Sequence, residues 1–438
     1  MKIKLSLTIL FYLFLNISCF GDVNLSTESS NPVILKDRVQ KVYVKVNLEG
    51  VFIENNKKSR SPINLSVVLD KSGSMSGEKI VHAKNAARMI VQSLGKDDIF
   101  SLVLYDNSVS VLIPATKVSD KAQLTKQIDL IKADGGTALF AGVSMGLLET
   151  EKFLDSKYVN RIIVLSDGMA NVGPSSTAEI SELGVAASKQ GISITTIGIG
   201  EGYNEDLMSN LAYKSDGSHG FAESPEQIAK LLQSEMGQIL NVAGKDIIIK
   251  IICENGVRPV KVIDYEGSIN KQEIIIKHNQ IYHQQQKFAL IELEVDEVMV
   301  RNGLLCKSTI EFIDGNSNEK LKKHAPTIVK VSTQQQDVNN HANREIFAKV
   351  FAIEAMERNR QAIQLSNQGK HLESEKLLKL NYVGIKNQQN LYNNKELEDL
   401  EQSVQILQDA NGNLNFNKES KRYIEFDSKS RSGNKLEK

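Results

Sequence analysis

Five oxygen-bearing side chains stand where they could meet around one ion: Asp70, Ser72, Ser74, Thr137 and Asp167. Asp70-Lys-Ser72-Gly-Ser74 directly follows the apolar run Ile-Asn-Leu-Ser-Val-Val-Leu at residues 63–69, which has the composition of a strand. Alternate residues on an extended segment project to the same side, so one carboxylate and two hydroxyls can converge just past the strand's end. Such a point suits a small hard cation, Mg²⁺ above all, which takes oxygen ligands and keeps some of its waters. Mn²⁺ or Ca²⁺ could stand in for it. Gly73 and Gly77 let the backbone turn around the ion with no Cβ to obstruct it. The triplet alone also arises in Ser-rich turns, but two later segments strengthen it. Gly135-Gly136-Thr137 adds a hydroxyl on a flexible backbone between two helical patterns. Ser166-Asp167-Gly168 closes a second apolar strand, Arg161-Ile-Ile-Val-Leu165. That places a carboxylate over the carboxyl end of a sheet, where ligands bind in open α/β folds. Each segment also has a plain structural reading, as a helix cap or a simple turn.

In order and context these segments resemble the metal-ion-dependent adhesion site of von Willebrand factor type A (VWA) domains. The resemblance runs from about Pro62 to Ala243 and covers Leu69-Asp-Lys-Ser-Gly-Ser-Met75, Gly135-Gly-Thr-Ala-Leu139 and Leu165-Ser-Asp-Gly168. Thr196-Ile-Gly-Ile-Gly200 and Tyr203-Asn-Glu-Asp-Leu-Met208 are similar to the bacterial, extracytoplasmic branch of that family. The resemblance implies that the first-loop hydroxyls ligate Mg²⁺ directly while the acids act partly through water. An open coordination position then accepts an Asp or Glu of a partner protein. Met75, Ser76 and Ala138 are expected to flank the ion and read the partner's surroundings, with Asp70 and Asp167 on solvent-facing loops.

Composition sets limits on the alternatives. A chain of 438 residues allows two or three domains, and 41% hydrophobic residues suffice for real cores. Lys plus Arg equal Asp plus Glu at 53 each, so nothing points to nucleic acid or an anionic membrane surface. Seven scattered histidines form no HExxH, and neither a nucleophile elbow nor a phosphate loop is present. The spacing of His278 and His283 puts them on opposite faces of an extended segment, which argues against zinc.

The amino terminus reads as a targeting segment. Lys2 and Lys4 precede an apolar run at residues 5–17, of signal-peptide length and too short to span a bilayer. Leu15-Asn-Ile-Ser18-Cys19 resembles a lipoprotein cleavage box, although Asn16 occupies the usual Leu position. Lipidation at Cys19 would leave a folded, tethered protein of the cell envelope, attached to the membrane only through that anchor. Simple secretion is the alternative. An exported compartment permits a disulfide between Cys253 and Cys306; two buried apolar thiols fit equally well.

The elements that must position the site follow from periodicity. From residue 63 strands and helices alternate, with Ile80, Ala83, Ala87, Ile90 and Leu94 marking one face of the first helix. The expected fold is α/β: a doubly wound, mostly parallel sheet, inserted in or followed by a β-sandwich, with a C-terminal helical segment. Residues 1–19 form the signal peptide, 20–32 a tether, and 33–61 carry an N-terminal strand of the sandwich. Residues 62–243 form the VWA domain, 244–333 the sandwich, 340–408 the helices, and 409–438 a disordered tail. Gly369-Lys-His-Leu followed by Leu377 resembles half of a tetratricopeptide repeat, too little for a solenoid.

The function expected is capture of an acidic side chain of another protein through a bound divalent cation, without catalysis. A non-catalytic subunit of an envelope assembly or quality-control complex is the alternative. A metal-dependent hydrolase would need a base near the ion, for which Asp106, Glu201 and Glu205 are the loop candidates.

Overall fold

A computed structural model describes residues 23–51, 60–167, 170–200, 204–222, 224–263, 265–296 and 303–411, together with 416, 419, 420 and 423. Three strands precede the metal motif: β1 (Val23–Ser29), β2 (Val33–Leu35) and β3 (Gln40–Gly50). The α/β unit follows with β4 (Ile63–Asp70), β5 (Ile99–Tyr105), β6 (Val109–Lys117), β7 (Val159–Ser166), β8 (Ser193–Ile199) and β9 (His219–Ala222). Its helices are α1 (Glu78–Ser93), α2 (Lys121–Asp129), α3 (Leu139–Glu151), α4 (Thr177–Lys189), α5 (Glu205–Lys214) and α6 (Pro225–Ile239).

The six strands lie in the order β6-β5-β4-β7-β8-β9, with β6 antiparallel and the rest parallel. Every residue of β4, β5, β7 and β8 is buried, as continuous apolar strands covered on both faces require. Ile63, Leu65, Val67 and Leu69 face α1, α2 and α6, whereas Val68 faces α3, α4 and α5 with Val103 and Tyr105. Strand order reverses between β4 and β7, so their carboxyl ends form the crevice where doubly wound sheets bind ligands. Asp70 and Ser166 are the last residues of those two strands. Close packing of α3 beneath them depends on glycine. A Cβ at Gly142 would lie 2.6 Å from the Tyr105 ring, and one at Gly146 2.5 Å from Val68 Cγ2.

The remaining strands are β10 (Val242–Cys253), β11 (Val257–Val262), β12 (Gly267–Asn270), β13 (Glu273–Tyr282), β14 (Gln286–Val295), β15 (Leu304–Asp314), β16 (Lys320–Ile328) and β17 (Lys330–Ser332). A four-stranded sheet β1-β3-β14-β11 and a five-stranded sheet β12-β13-β10-β15-β16, both antiparallel, enclose one apolar core. The α/β unit is therefore inserted between β3 and β10. Gly50 at the exit is bonded to Gln284 and Gln285, and Ser61 donates both N–H and hydroxyl to the Gly315 carbonyl. Lys245 is 3% exposed and spans the junction, donating to Lys157 O and Asn318 Oδ1 at 2.7 Å each.

Residues 23–29 are not the expected tether. They pair with β3 in full register, Val23 opposite Gly50 through Ser29 opposite Val44, and Val23 is fully buried. Their alternation is too weakly apolar to announce a strand; the exposed edge of β3 supplies the backbone partners that decide it.

Helices α7 (Gln335–Asn340), α8 (Arg344–Asn367), α9 (His371–Tyr392) and α10 (Lys395–Ala410) follow. Ile346, Val350 and Ile353 of α8 pack on Leu290, Tyr43 and Phe288 of the four-stranded sheet, and its other face packs against α9 and α10. The expected disordered tail falls largely outside the described residues. Within it, however, Phe416 and Tyr423 are buried against these helices, with Asn359 Nδ2 donating to Tyr423 Oη at 2.9 Å. Among the described residues no helix is long and apolar enough to cross a membrane. Cys19 lies outside them.

Candidate metal centre

Four loops above the switch point, those after β4, β5 and β7 and the one before α3, are stitched together by their backbones. The Gly73 N–H donates to Gly135 O at 2.8 Å, the Asp134 N–H to Lys71 O at 2.7 Å, and the Ala138 N–H to Asp106 O at 2.8 Å. Thr137 is held from the loop after β7: its N–H donates to Asn171 Oδ1, and its carbonyl accepts from the N–H groups of Asn171 and Val172. Asn107 Oδ1 fixes the Gly136 N–H, and a Lys71–Asp106 ion pair braces the side.

Within this frame four of the five expected ligands form a connected chain. Asp70 Oδ1 accepts from the Ser72 N–H at 2.9 Å, and Oδ2 accepts from Ser166 Oγ at 2.7 Å. The Ser72 and Ser74 hydroxyls are 3.0 Å apart, and Ser74 Oγ donates to Asp167 Oδ1 at 2.8 Å. Thr137 joins by backbone linkage of its loop and is 3% exposed.

Asp70 is fully buried, and among the described residues none of its hydrogen-bond or ion-pair partners is a cation. Burial raises its pKa, Asp167 adds repulsion, and hydrogen bonds from Ser72 and Ser166 offset part of this. The Tyr105 hydroxyl is buried beside it, and burial together with the Asp70 charge pushes that phenol well above its ordinary range. A fully buried carboxylate next to a second carboxylate and two hydroxyls is a donor set that fits a hard divalent cation.

Several details depart from expectation. Asp70 and Asp167 are buried rather than solvent-facing, at 0% and 5% exposed. Met75 is fully buried in the core under α1 and Ala138 is 3% exposed, so neither can read a partner; Ser76 is exposed. Beyond β4 the chain is not extended: Gly73–Met75 form a 3₁₀ turn that buries Met75 while Ser74 stays exposed. Asp106 is spent on Lys71 and Ser108. Burial would raise its carboxyl, but these partners outweigh it and hold it below the usual range, which makes it a poor base. Glu205 is 3% exposed in the first turn of α5, and Glu201 lies outside the described residues. Ser166, Tyr105, Asn107, Asn171 and Lys79 surround the site without having been singled out in the sequence. Ser166 had a visible signal, the hydroxyl directly preceding Asp167.

The Cys253–Cys306 bridge is not formed: both residues are free thiols, buried on the inner face of the sandwich sheet. They are nevertheless directly opposite on β10 and β15, where each serves as a small apolar core residue. Burial raises the two thiols to about 12 and about 11.

Residues 64–234 match the family model of the von Willebrand factor type A domain, and this part of the chain has the α/β fold of that domain. An uncharacterised Synechocystis sp. protein is 26% identical over 289 residues, 63% of this chain and 68% of that protein. YfbK of Escherichia coli is 27% identical over 55% of this chain, which spans only 41% of YfbK. The human inter-alpha-trypsin inhibitor heavy chain H3 is 28% identical over 169 residues, 19% of its own length. Among solved structures, a von Willebrand factor type A protein from Catenulispora acidiphila superposes with a TM-score of 0.71 at 15% identity, covering 89% of this chain and 91% of that one. The ArnB paralog VWA2 of Sulfolobus acidocaldarius gives 0.64 at 19% identity, covering 94% and 99%. Both likenesses concern the fold, including its additional antiparallel sheets and C-terminal helices.

Proposed function

We propose that the protein is a non-catalytic binding module of the cell envelope that captures an acidic side chain of a partner protein through a divalent cation, Mg²⁺ above all. VWA domains are generally protein-interaction and adhesion modules. The observation that carries the reading is the pairing of a fully buried Asp70, without a cationic partner among the described residues, with the chain Ser72–Ser74–Asp167. Asp70, Ser72, Ser74, Thr137 and Asp167 would hold the ion, which supplies a Lewis-acidic position for a carboxylate. This chain's residues do the rest. The stitched loops hold Ser72, Ser74 and Thr137 in place, and exposed Ser74, Ser76, Asn107 and Asn171 form the rim the partner meets. Export and lipidation at Cys19 would place that rim at the cell envelope.

The test is affinity capture from envelope extract in Mg²⁺, in EDTA, and with Asp70→Asn. A protein retained by wild type in Mg²⁺ alone supports the reading. Equal retention in all three conditions defeats it, as would substrate turnover that depends on Asp70 with metal still bound.

A further inference from the structure

The two carboxylates of the site are not equivalent. Asp70 has only neutral partners, whereas Asp167 Oδ2 accepts from the Lys79 ammonium at 2.5 Å. Lys79 stands in the first turn of α1, where the helix dipole disfavours a cation. Its pairing with Asp167, whose side chain is fully buried, compensates that placement. The lysine side chain is itself 37% exposed and lies along the bare backbone of Gly200, where a Cβ would come within 3.4 Å of Lys79 Cε. Lys71, another ammonium near these loops, is committed to Asp106.

We propose that Lys79 is a tethered counter-ion that holds Asp167 in the metal-free state and competes with the divalent cation for it. The proposal rests on the metal-site reading above. The site then has a built-in weakening of metal affinity. A cation entering beside Asp167 must displace the ammonium or bind against its charge, and the lysine side chain is 37% exposed. Even at the dielectric of water, a single and a double charge about 6 Å apart repel enough to change affinity about tenfold.

The test is calorimetric titration of MgCl₂ into the purified full chain as wild type, Lys79→Met, Lys79→Gln, Lys79→Arg and Asp167→Asn. Lys79→Met and Lys79→Gln should bind Mg²⁺ about tenfold tighter or more, Lys79→Arg should stay near wild type, and Asp167→Asn should weaken binding. Thermal melts report the same competition independently of any partner. Without its cation the metal-free Lys79→Met protein melts lower than wild type and gains more from Mg²⁺. Lys79→Gln serves if Lys79→Met does not fold in EDTA. Wild-type affinity in both neutral variants, with Asp167→Asn impaired, overturns the role of Lys79 and leaves the metal centre standing. Absence of Mg²⁺ binding in wild type and all four variants overturns both.

Discussion

Asp70→Asn should have opposite consequences in EDTA and in Mg²⁺. Asparagine is nearly the same size, its carbonyl can accept the Ser72 N–H, and its amide can donate to Ser166 Oγ, the two groups that Asp70 now engages. What changes is the charge. Burial holds the Asp70 pKa above its ordinary range, so its contribution to folding is favourable below that range and lost as pH rises through it. At neutral pH the buried charge works against the metal-free fold. In EDTA, Asp70→Asn should therefore melt at or above the wild-type temperature. Magnesium reverses the order. At about 100 times its Kd a ligand stabilises by about 2.7 kcal/mol, which raises Tm by about 5–11 °C in a domain of this size. Wild type should show that rise and Asp70→Asn little or none. The assay is paired thermal unfolding followed by circular dichroism in EDTA and in saturating MgCl₂. A full Mg²⁺ response in Asp70→Asn, or a variant that melts well below wild type in EDTA, would refute the argument that this carboxylate is held for a cation.

Other consequences are open to direct measurement. Arg161, 1% exposed, pairs with Glu235 of α6, which also accepts from Thr195 and Ser218; Glu235→Ala would strand a buried guanidinium and cost about 3–5 kcal/mol in urea unfolding. No loss there would mean that the network is not what seats α6 on the sheet. Burial lowers the His219 pKa from its ordinary 6.5 to about 4, so its contribution is intact above pH 6.5 and is lost as pH falls towards 4. That amounts to about 3 kcal/mol, and His219→Gln should flatten the stability profile across this window. Cys253 and Cys306, buried with thiols raised to about 12 and about 11, should resist alkylation at pH 8 in the native protein and react as two thiols after denaturation. Rapid native modification, or no thiol in the denatured chain, would contradict the free pair.

Much of the fold was legible because its strongest signals are local. Fully apolar strands interleaved with amphipathic helices announce a covered parallel sheet, and Ile80, Ala83, Ala87 and Ile90, expected on one face of the first helix, are buried in α1. The place of Asp70 at the end of an apolar strand was legible for the same reason, but the alternation expected beyond it was not found, because Gly73–Met75 curl into a 3₁₀ turn. The rest turned on contacts between remote segments. Val23–Ser29 became a strand because β3 offered it an unpaired edge, and Met75 and Ala138 left the rim because the core claimed them. Lys79 meets Asp167 across 88 residues of chain, a juxtaposition that no local pattern encodes. By itself the sequence determined which residues could bind a hard cation and the alternation of elements that carries them to one edge of a sheet. Only the tertiary structure decided which of those carboxylates has a cation beside it, because burial and charge pairing depend on where the folded chain returns, and residue order does not specify that.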